Sequence, residues 1–220
     1  MRNKSALKYV TALLLFGSNG IVASHITLNS YEIVFTRTLI GALFLIFIFM
    51  FSKQELHFYH NKSHFLYLVI SGISMGTSWM FLFEAYRQIG VSVATLAYYC
   101  GPVIVMLFSQ IIFKEKITSI KFIGFFAVLT GMFFVNQHTL LHGQISWGLS
   151  FGVLSAVMYA FMVIFNKKAA SITGLENSMW QLIASFVTVA IFLVFRQGFS
   201  IHLEANNLMP ILLLGVVNTG

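Results

Sequence analysis

Charge is what this chain has least of. Lysine, arginine, aspartate and glutamate together make up 9% of its 220 residues, against about 25% in an ordinary soluble domain. With 58% hydrophobic residues, 24 of the 220 being phenylalanine, it suits hydrocarbon, which cannot solvate charge and does not penalise exposed Phe or Leu. Cysteine is nearly absent too. Cys100 stands alone inside an apolar run, which excludes an intrachain disulfide and a cysteine metal cluster and leaves it the part of a small packed core residue. No GxxxxGK[ST] phosphate loop occurs, so ATP hydrolysis is not expected. The net charge of +7 does not restore a nucleic-acid reading, because the basic residues sit in short clusters between apolar runs and form no continuous basic face.

What is present in quantity is hydrophobic length. Runs of roughly 17 to 25 apolar residues read as membrane-spanning helices. Seven complete ones fall at about 7–27, 33–51, 65–86, 91–112, 120–136, 146–166 and 179–195. The first follows a basic start but is longer than a signal-peptide core, so it reads as an uncleaved first span. An eighth begins at Leu208 and stops at Gly220, which reads as a fragment of a longer protein. The class expected is an all-α integral membrane protein.

Basic residues set the topology, since positively charged connections stay in the cytoplasm. Arg2, Lys4 and Lys8, then Lys53 and Lys62, Lys114, Lys116 and Lys121, and Lys167 and Lys168 mark alternate connections. The opposite side has only Arg87 and Arg196, and Arg37 lies within a span. This places the N-terminus inside, in a multi-pass protein of the cytoplasmic (inner) membrane.

An internal repeat accompanies this pattern. EIVFTRTLIGALFLIF at 32–47 aligns without gaps on ENSMWQLIASFVTVAI at 176–191, setting Glu32 on Glu176 and Arg37 on Gln181. One residue out of that register, Phe16 falls on Tyr159 and Gly72 on Gly215. Units of five helices, 1–136 and a truncated 146–220, would thread the membrane in opposite senses. That inverted repeat, common in secondary transporters, predicts a parent of about 290 residues and ten helices.

Individual residues carry competing readings. Arg37 lies five residues inside Glu32, roughly 7–8 Å along the axis, and Glu84 occupies a similar depth in the third span. An intramembrane charge costs about 2.5–3.5 kcal/mol on insertion scales, so it should be paired, snorkelling or lining water. One reading is an Arg37–Glu84 ion pair or Arg37 snorkelling to the outer interface. The other has Glu84 titrating during transport, or Arg37 holding an anionic substrate group. Asn19 in the first span either bonds a neighbouring helix or faces a cavity. Tyr98 and Tyr99 in the fourth span, Trp79 in the third and Tyr159 in the sixth are aromatic candidates for a cavity wall, or simple packing. Pro102 removes a backbone donor and is a candidate hinge. Small residues at Gly72, Gly76, Gly148, Gly152, Ala156 and Ala160 let helices approach closely. His57, His60 and His64 have a spacing compatible with metal but read as solvated loop residues, as do His138 and His142, so no metal site is expected. GISMG at 72–76 spells a hydrolase nucleophile turn inside a helix, where that turn cannot form.

The stretch VSVATLAYYCGPVIVMLFSQIIFKEKITSIKFIGFFAVLTG at 91–131 then carries a resemblance. It resembles the EamA-type, ten-helix branch of the drug/metabolite transporter superfamily in Val93-Ala94-Thr95, Pro102, Glu115 with Ile117-Thr118, and Gly124 with Gly131. Phe16 followed by Gly17-Ser18-Asn19 is similar to the family's aromatic-Gly-Ser-Asn run, and Arg37 to an arginine opening its second helix. Lys114-Glu115 departs from the family's Gly-Glu pair. The resemblance implies a carrier that moves a small metabolite or drug-like compound, commonly outward, without ATP and without a cofactor.

The function expected is therefore secondary active transport by alternating access, with Glu84 and His25 as the candidate groups for coupling to a proton. The substrate would sit near mid-depth among the first, third, fourth and sixth helices, with Asn19, Arg37, Trp79, Glu84, Tyr98, Tyr99 and Tyr159 as its binding residues. A non-transporting membrane subunit or an intramembrane enzyme are the alternatives. Expected partners are the lipid bilayer and a small-molecule substrate, with a homodimer left open and nucleic acid excluded. The 220-residue form is expected to be inactive.

Overall fold

The computed structural model describes residues 2–114, 118–142, 147–198 and 207–219. Its helices are α1 (Arg2–Ala23), α2 (Ser30–Phe51), α3 (Lys62–Tyr98), α4 (Cys100–Phe113), α5 (Ser119–His142), α6 (Trp147–Lys168), α7 (Gly174–Gln197) and the short α8 (Leu208–Leu212), which runs into a π-helical turn over Leu213–Val217. Among the described residues there is no strand. Glu115, Lys116 and Ile117 lie outside them, as do the side chains of Phe16, His138 and His142.

Among the described residues, four stretches are long and apolar enough to cross a membrane: Ser30–Phe51, Lys62–Phe113, Trp147–Lys168 and Gly174–Arg196. The second is long enough for two spans, the expected third and fourth. The connection expected between them at 87–90 has shrunk to a single residue, Gly90, whose φ of 77° and ψ of 160° turn the chain inside α3. Only glycine takes that conformation without strain.

Helix α2 shows how the sequence starts a span. Asn29 accepts the N–H groups of Tyr31 and Glu32, both at 3.0 Å, and Glu32 reaches back to the Asn29 N–H at 3.0 Å. This capping box satisfies donors that lipid could not. Beyond it the helix divides by face. Val34 and Thr38 are fully buried, while Leu43, Phe47 and Met50 are exposed. An apolar residue turned outward on every long helix is what a hydrocarbon-facing surface needs.

Small residues bring the helices together. On α6, Gly148, Gly152, Ala156 and Ala160 are all buried, and Gly152 meets Ala97. Ser78 and Ser155 exchange hydrogen bonds between α3 and α6, each hydroxyl donating to the other's carbonyl at 2.9 and 2.8 Å. Gly72 lies against the Gln181 carbonyl and Ala184 on α7, Gly76 against Ser185, Gly41 against Thr219 and Gly215, and Gly215 against Ile40. In each case a side chain would collide, so these are true close approaches.

The two ends of the bundle are distinct. At one end Glu176 accepts the backbone N–H groups of His57 and Phe58 at 2.8 and 2.9 Å. Ser171 there donates its N–H to His64 Nδ1 at 3.1 Å, and Phe58 packs on Trp180 at 4.9 Å. Lys167 stands 4.4 Å from the ring of Phe113, so the basic connections near 53–62, 114 and 167–168 share this end, as their charge pattern requires. At the other end Thr27 joins Asn207, and Arg196 stacks on Tyr31 at 4.3 Å.

Candidate functional site

Arg37 is the largest fully buried side chain in the bundle, 2% exposed. Helix α2 carries it inward, on the face shared with Val34 and Thr38, and three other segments close around it. Trp79 of α3 lies beneath the guanidinium at 4.2 Å, with Phe83 one turn on at 5.4 Å. Nε donates to Thr219 Oγ1 at 3.0 Å, and Nη2 makes a longer contact of 3.4 Å with Asn19 Oδ1. The same Asn19 oxygen accepts from Asn218 Nδ2 at 3.1 Å, and Asn218 also donates to the Leu15 carbonyl at 2.9 Å. The phenols of Tyr86 and Tyr98 stand within electrostatic range.

This surrounding explains how the charge is tolerated. An arginine face on a desolvated tryptophan gains about 2 kcal/mol, and each hydrogen bond to a charged group gives about 1.5–3 kcal/mol. Both partners are neutral, however. Among the described residues no carboxylate comes within ion-pair distance of Arg37.

The expected Arg37–Glu84 pair is therefore not made. One helical turn separates Glu84 from Arg87 and Gln88, and local neighbours win. Arg87 pairs with Glu84 Oε1, and Gln88 Nε2 donates to the same oxygen at 2.7 Å. Nor does Arg37 snorkel, since its guanidinium turns into the protein instead of toward an interface.

A second group adjoins the first. Tyr98 meets Tyr159 edge-on at 5.3 Å, and Gly101 lies against the Tyr159 ring. Tyr86 receives the Thr95 hydroxyl at 3.4 Å and stacks on Phe83 at 5.4 Å, tying this aromatic wall to the arginine. A cleft of about 200 Å³ descends from the Arg87 end past Ser24, Leu28 and Val91 to Phe83 and Tyr86. The chain thus gathers, inside apolar helices, a polar and aromatic cluster around one positive charge.

A model of the EamA-like transporter family matches residues 3–137. The chain belongs to the EamA-like transporter family. It is 27% identical to the uncharacterized transporter YxxF of Bacillus subtilis, an alignment covering all of this chain and 71% of that protein. It is 26% identical to an uncharacterized transporter of Pseudomonas aeruginosa over 69% of this chain and 51% of that one. Family, relatives and apolar helices together make it a multi-pass membrane transporter.

In this EamA-family chain the candidate residues separate into groups. Asn19, Arg37 and Trp79 meet directly, and Tyr98 and Tyr159 meet each other. Tyr99 stands 6.4 Å from Tyr98 and is only half-buried. Glu84 sits with Arg87 beside the cleft rather than on Arg37. Pro102 occupies the first turn of α4 and is exposed, with the helix interrupted upstream at Tyr99. That position follows from the proline ring, which clashes with the carbonyl four residues before it. Cys100 is half-buried, not the packed core residue expected. His25 is exposed and bonds the Ile21 carbonyl at 2.8 Å. His57, exposed, approaches Glu176 at 3.4 Å. Among the described residues no group of His, Cys and Glu is arranged to hold a metal ion.

Sequence reasoning missed Phe83, Tyr86, Asn218 and Thr219. Phe83 and Tyr86 follow Trp79 at four and seven residues, one helical face, which is a usable signal. Asn218 and Thr219 close an apolar run, and the π-helical turn that aims Thr219 at Arg37 and Asn218 at Asn19 cannot be read from residue order.

Proposed function

We propose that this protein is a secondary active transporter, an exporter of a small metabolite or drug-like compound that works by alternating access and has no catalytic role. The observation that carries the reading is Arg37, a charge fully withdrawn from solvent with neutral partners, at the meeting of α1, α2, α3 and the Asn218-Thr219 turn. Charges inside a membrane protein mark substrate or ion paths by default. Asn19, Trp79, Tyr98 and Tyr159 belong to the same chamber in this reading, with Glu84 and Tyr99 at its margins. The Tyr99–Pro102 interruption serves as the hinge.

The inverted repeat has support in the packing. Moving Gly72 by the offset that sets it on Gly215, and Ala184 by the offset that sets it on Ile40, turns one close contact into the other. Gly76 against Ser185 becomes Thr219 against Gly41 in the same way. Two units, 1–136 and 146–220, related by an axis in the membrane plane would produce such paired contacts. In the reading proposed, the basic end bearing Lys53, Lys62 and Lys167 faces the cytoplasm of an inner membrane. That end is held shut by Glu176 and the Phe58–Trp180 packing, while the cleft approaches the chamber from the other.

Uptake and efflux of a metabolite panel by membrane vesicles bearing the ten-helix form that the repeat predicts, with and without a pH gradient, tests this. Movement of at least one compound that collapses with the gradient is expected, and it should depend on Glu84 if that group carries the proton. No gradient-sensitive movement of any compound would refute proton-coupled transport.

A further inference from the structure

We infer that the ligand of the Arg37 chamber is a small organic monocarboxylate, its carboxylate on the open edge of the guanidinium and its apolar body along Trp79 and Phe83. The inference rests on the transporter reading and narrows it to a substrate class.

Charge accounting leads there. The chain holds six acidic residues, all glutamate. Glu32 caps α2, Glu84 is held by Arg87 and Gln88, Glu176 by the backbone of the 57–58 segment, and Glu55 stands exposed at the far end. Glu115 and Glu204 lie outside the described residues. No described carboxylate neutralises Arg37, although its side chain is 98% withdrawn from solvent by the same measure that leaves it 2% exposed.

Hydrogen-bond geometry adds direction. A guanidinium has five N–H donors in a planar fork. Arg37 uses Nε on Thr219 and Nη2, at the long distance of 3.4 Å, on Asn19. Nη1 donates to no described residue. Trp79 covers a face of the plane, so a partner must come in at the edge, where a planar carboxylate makes two parallel bonds.

The same features select among charges. A cation would meet Arg37 in a low-dielectric interior and be repelled. A dianion would bring a second negative charge, and Lys53, Lys62, Lys167 and Lys168, like Arg87 and Arg196, stand toward the two ends of the bundle. One buried positive charge matches one negative charge. The aromatic rings around it, Trp79, Phe83, Tyr86 and Tyr98, suit an apolar body attached to that carboxylate. The entry this reading uses is the cleft that Phe83 and Tyr86 help to line.

Binding to the whole purified chain in lipid nanodiscs tests this with 3-phenylpropionate as the probe. The equally shaped 3-phenylpropan-1-ol and 3-phenylpropylamine serve as neutral and cationic controls. Tryptophan fluorescence reports, because Trp79 lies on the guanidinium. The carboxylate is expected to saturate the signal with affinity at least about tenfold above the alcohol, and the amine to bind worst. Arg37→Gln should erase the preference for the carboxylate, with folding followed by thermal unfolding. Should that variant not fold, Arg37→Lys carries the test: it keeps the charge but not the fork, so carboxylate affinity should fall several-fold while the alcohol's stays. Equal response to all three probes, a preference surviving in Arg37→Gln, or unchanged carboxylate affinity in Arg37→Lys overturns the inference. Vesicles that move the alcohol or amine while the chain shows no carboxylate preference would overturn it and leave transport standing. Carboxylate binding that depends on Arg37, with no solute moved, would uphold it and refute transport.

Discussion

Arg37 on α2 and Gln181 on α7 occupy the same place in two aligned segments, and their surroundings have diverged. Gln181 Nε2 donates to Ser71 Oγ at 2.6 Å, and the Ser71 hydroxyl in turn donates to the Met162 carbonyl at 2.7 Å. A neutral amide bonded to neutral neighbours leaves nothing for a ligand to neutralise. Arg37 also donates to a hydroxyl on a facing segment, yet its charge persists and an aromatic platform keeps water off it. In the repeat proposed, the two positions correspond. One side is built as structure, and the other holds an unmet electrostatic demand.

The sharpest way to break this contrast is to exchange its members. Gln181→Arg should destabilise the protein by about 2.5–3.5 kcal/mol, the cost of a charge at membrane depth without a prepared partner. Arg37→Gln should unfold at an unchanged or higher temperature, because losing an uncompensated charge relieves the fold. Thermal unfolding in detergent measures both, and a stability loss in Arg37→Gln larger than in Gln181→Arg would end the comparison. The paired glutamates come next. Glu176→Ala should cost about 1–3 kcal/mol by orphaning the 57 and 58 N–H groups, whereas Glu32→Ala, which loses its part of the α2 cap, should cost about 0.5–1 kcal/mol. Proteolysis within 52–61 should also quicken in the first variant alone.

Glycines sharpen the point at smaller scale. Gly72→Ala forces a methyl onto the Gln181 carbonyl and should cost about 1–3 kcal/mol. Gly17→Ala meets nothing within reach and should be neutral or stabilise by up to about 1 kcal/mol through helix propensity. The smallest effect expected is a coupling near zero. Arg37→Glu combined with Glu84→Arg should recover nothing lost by the single variants, since the two side chains have different partners. A double variant that folds or transports better than both singles would show that they pair after all.

Much of the fold was legible because lipid is a demanding solvent. Apolar length located the helices, and basic clusters grouped the connections that the structure brings to one end. Gly72 and Gly76 marked a close helix approach before any helix was placed. The limits are as physical. Glu84 was assigned to Arg37 by depth alone, but three and four residues along a helix put Arg87 and Gln88 nearer than any second helix. Pro102 signalled an interruption, and the clash lies one turn upstream of the residue that causes it. Asn19, Arg37, Trp79, Tyr98 and Tyr159 were all noticed singly; which of them touch depends on the rotation of each helix about its axis, and hydrophobicity scarcely changes around spans that are apolar on every side.

The residues by themselves determined that the chain is helical, lives in a bilayer and carries a charge that needs a reason, because hydrocarbon imposes those outcomes on any sequence of this composition. Tertiary structure alone decided that the charge is met by an amide, a hydroxyl and a ring instead of a carboxylate. That choice is made by contacts between different helices, Arg37 with Thr219 across 182 residues of chain among them, and such contacts exist only once the helices have packed.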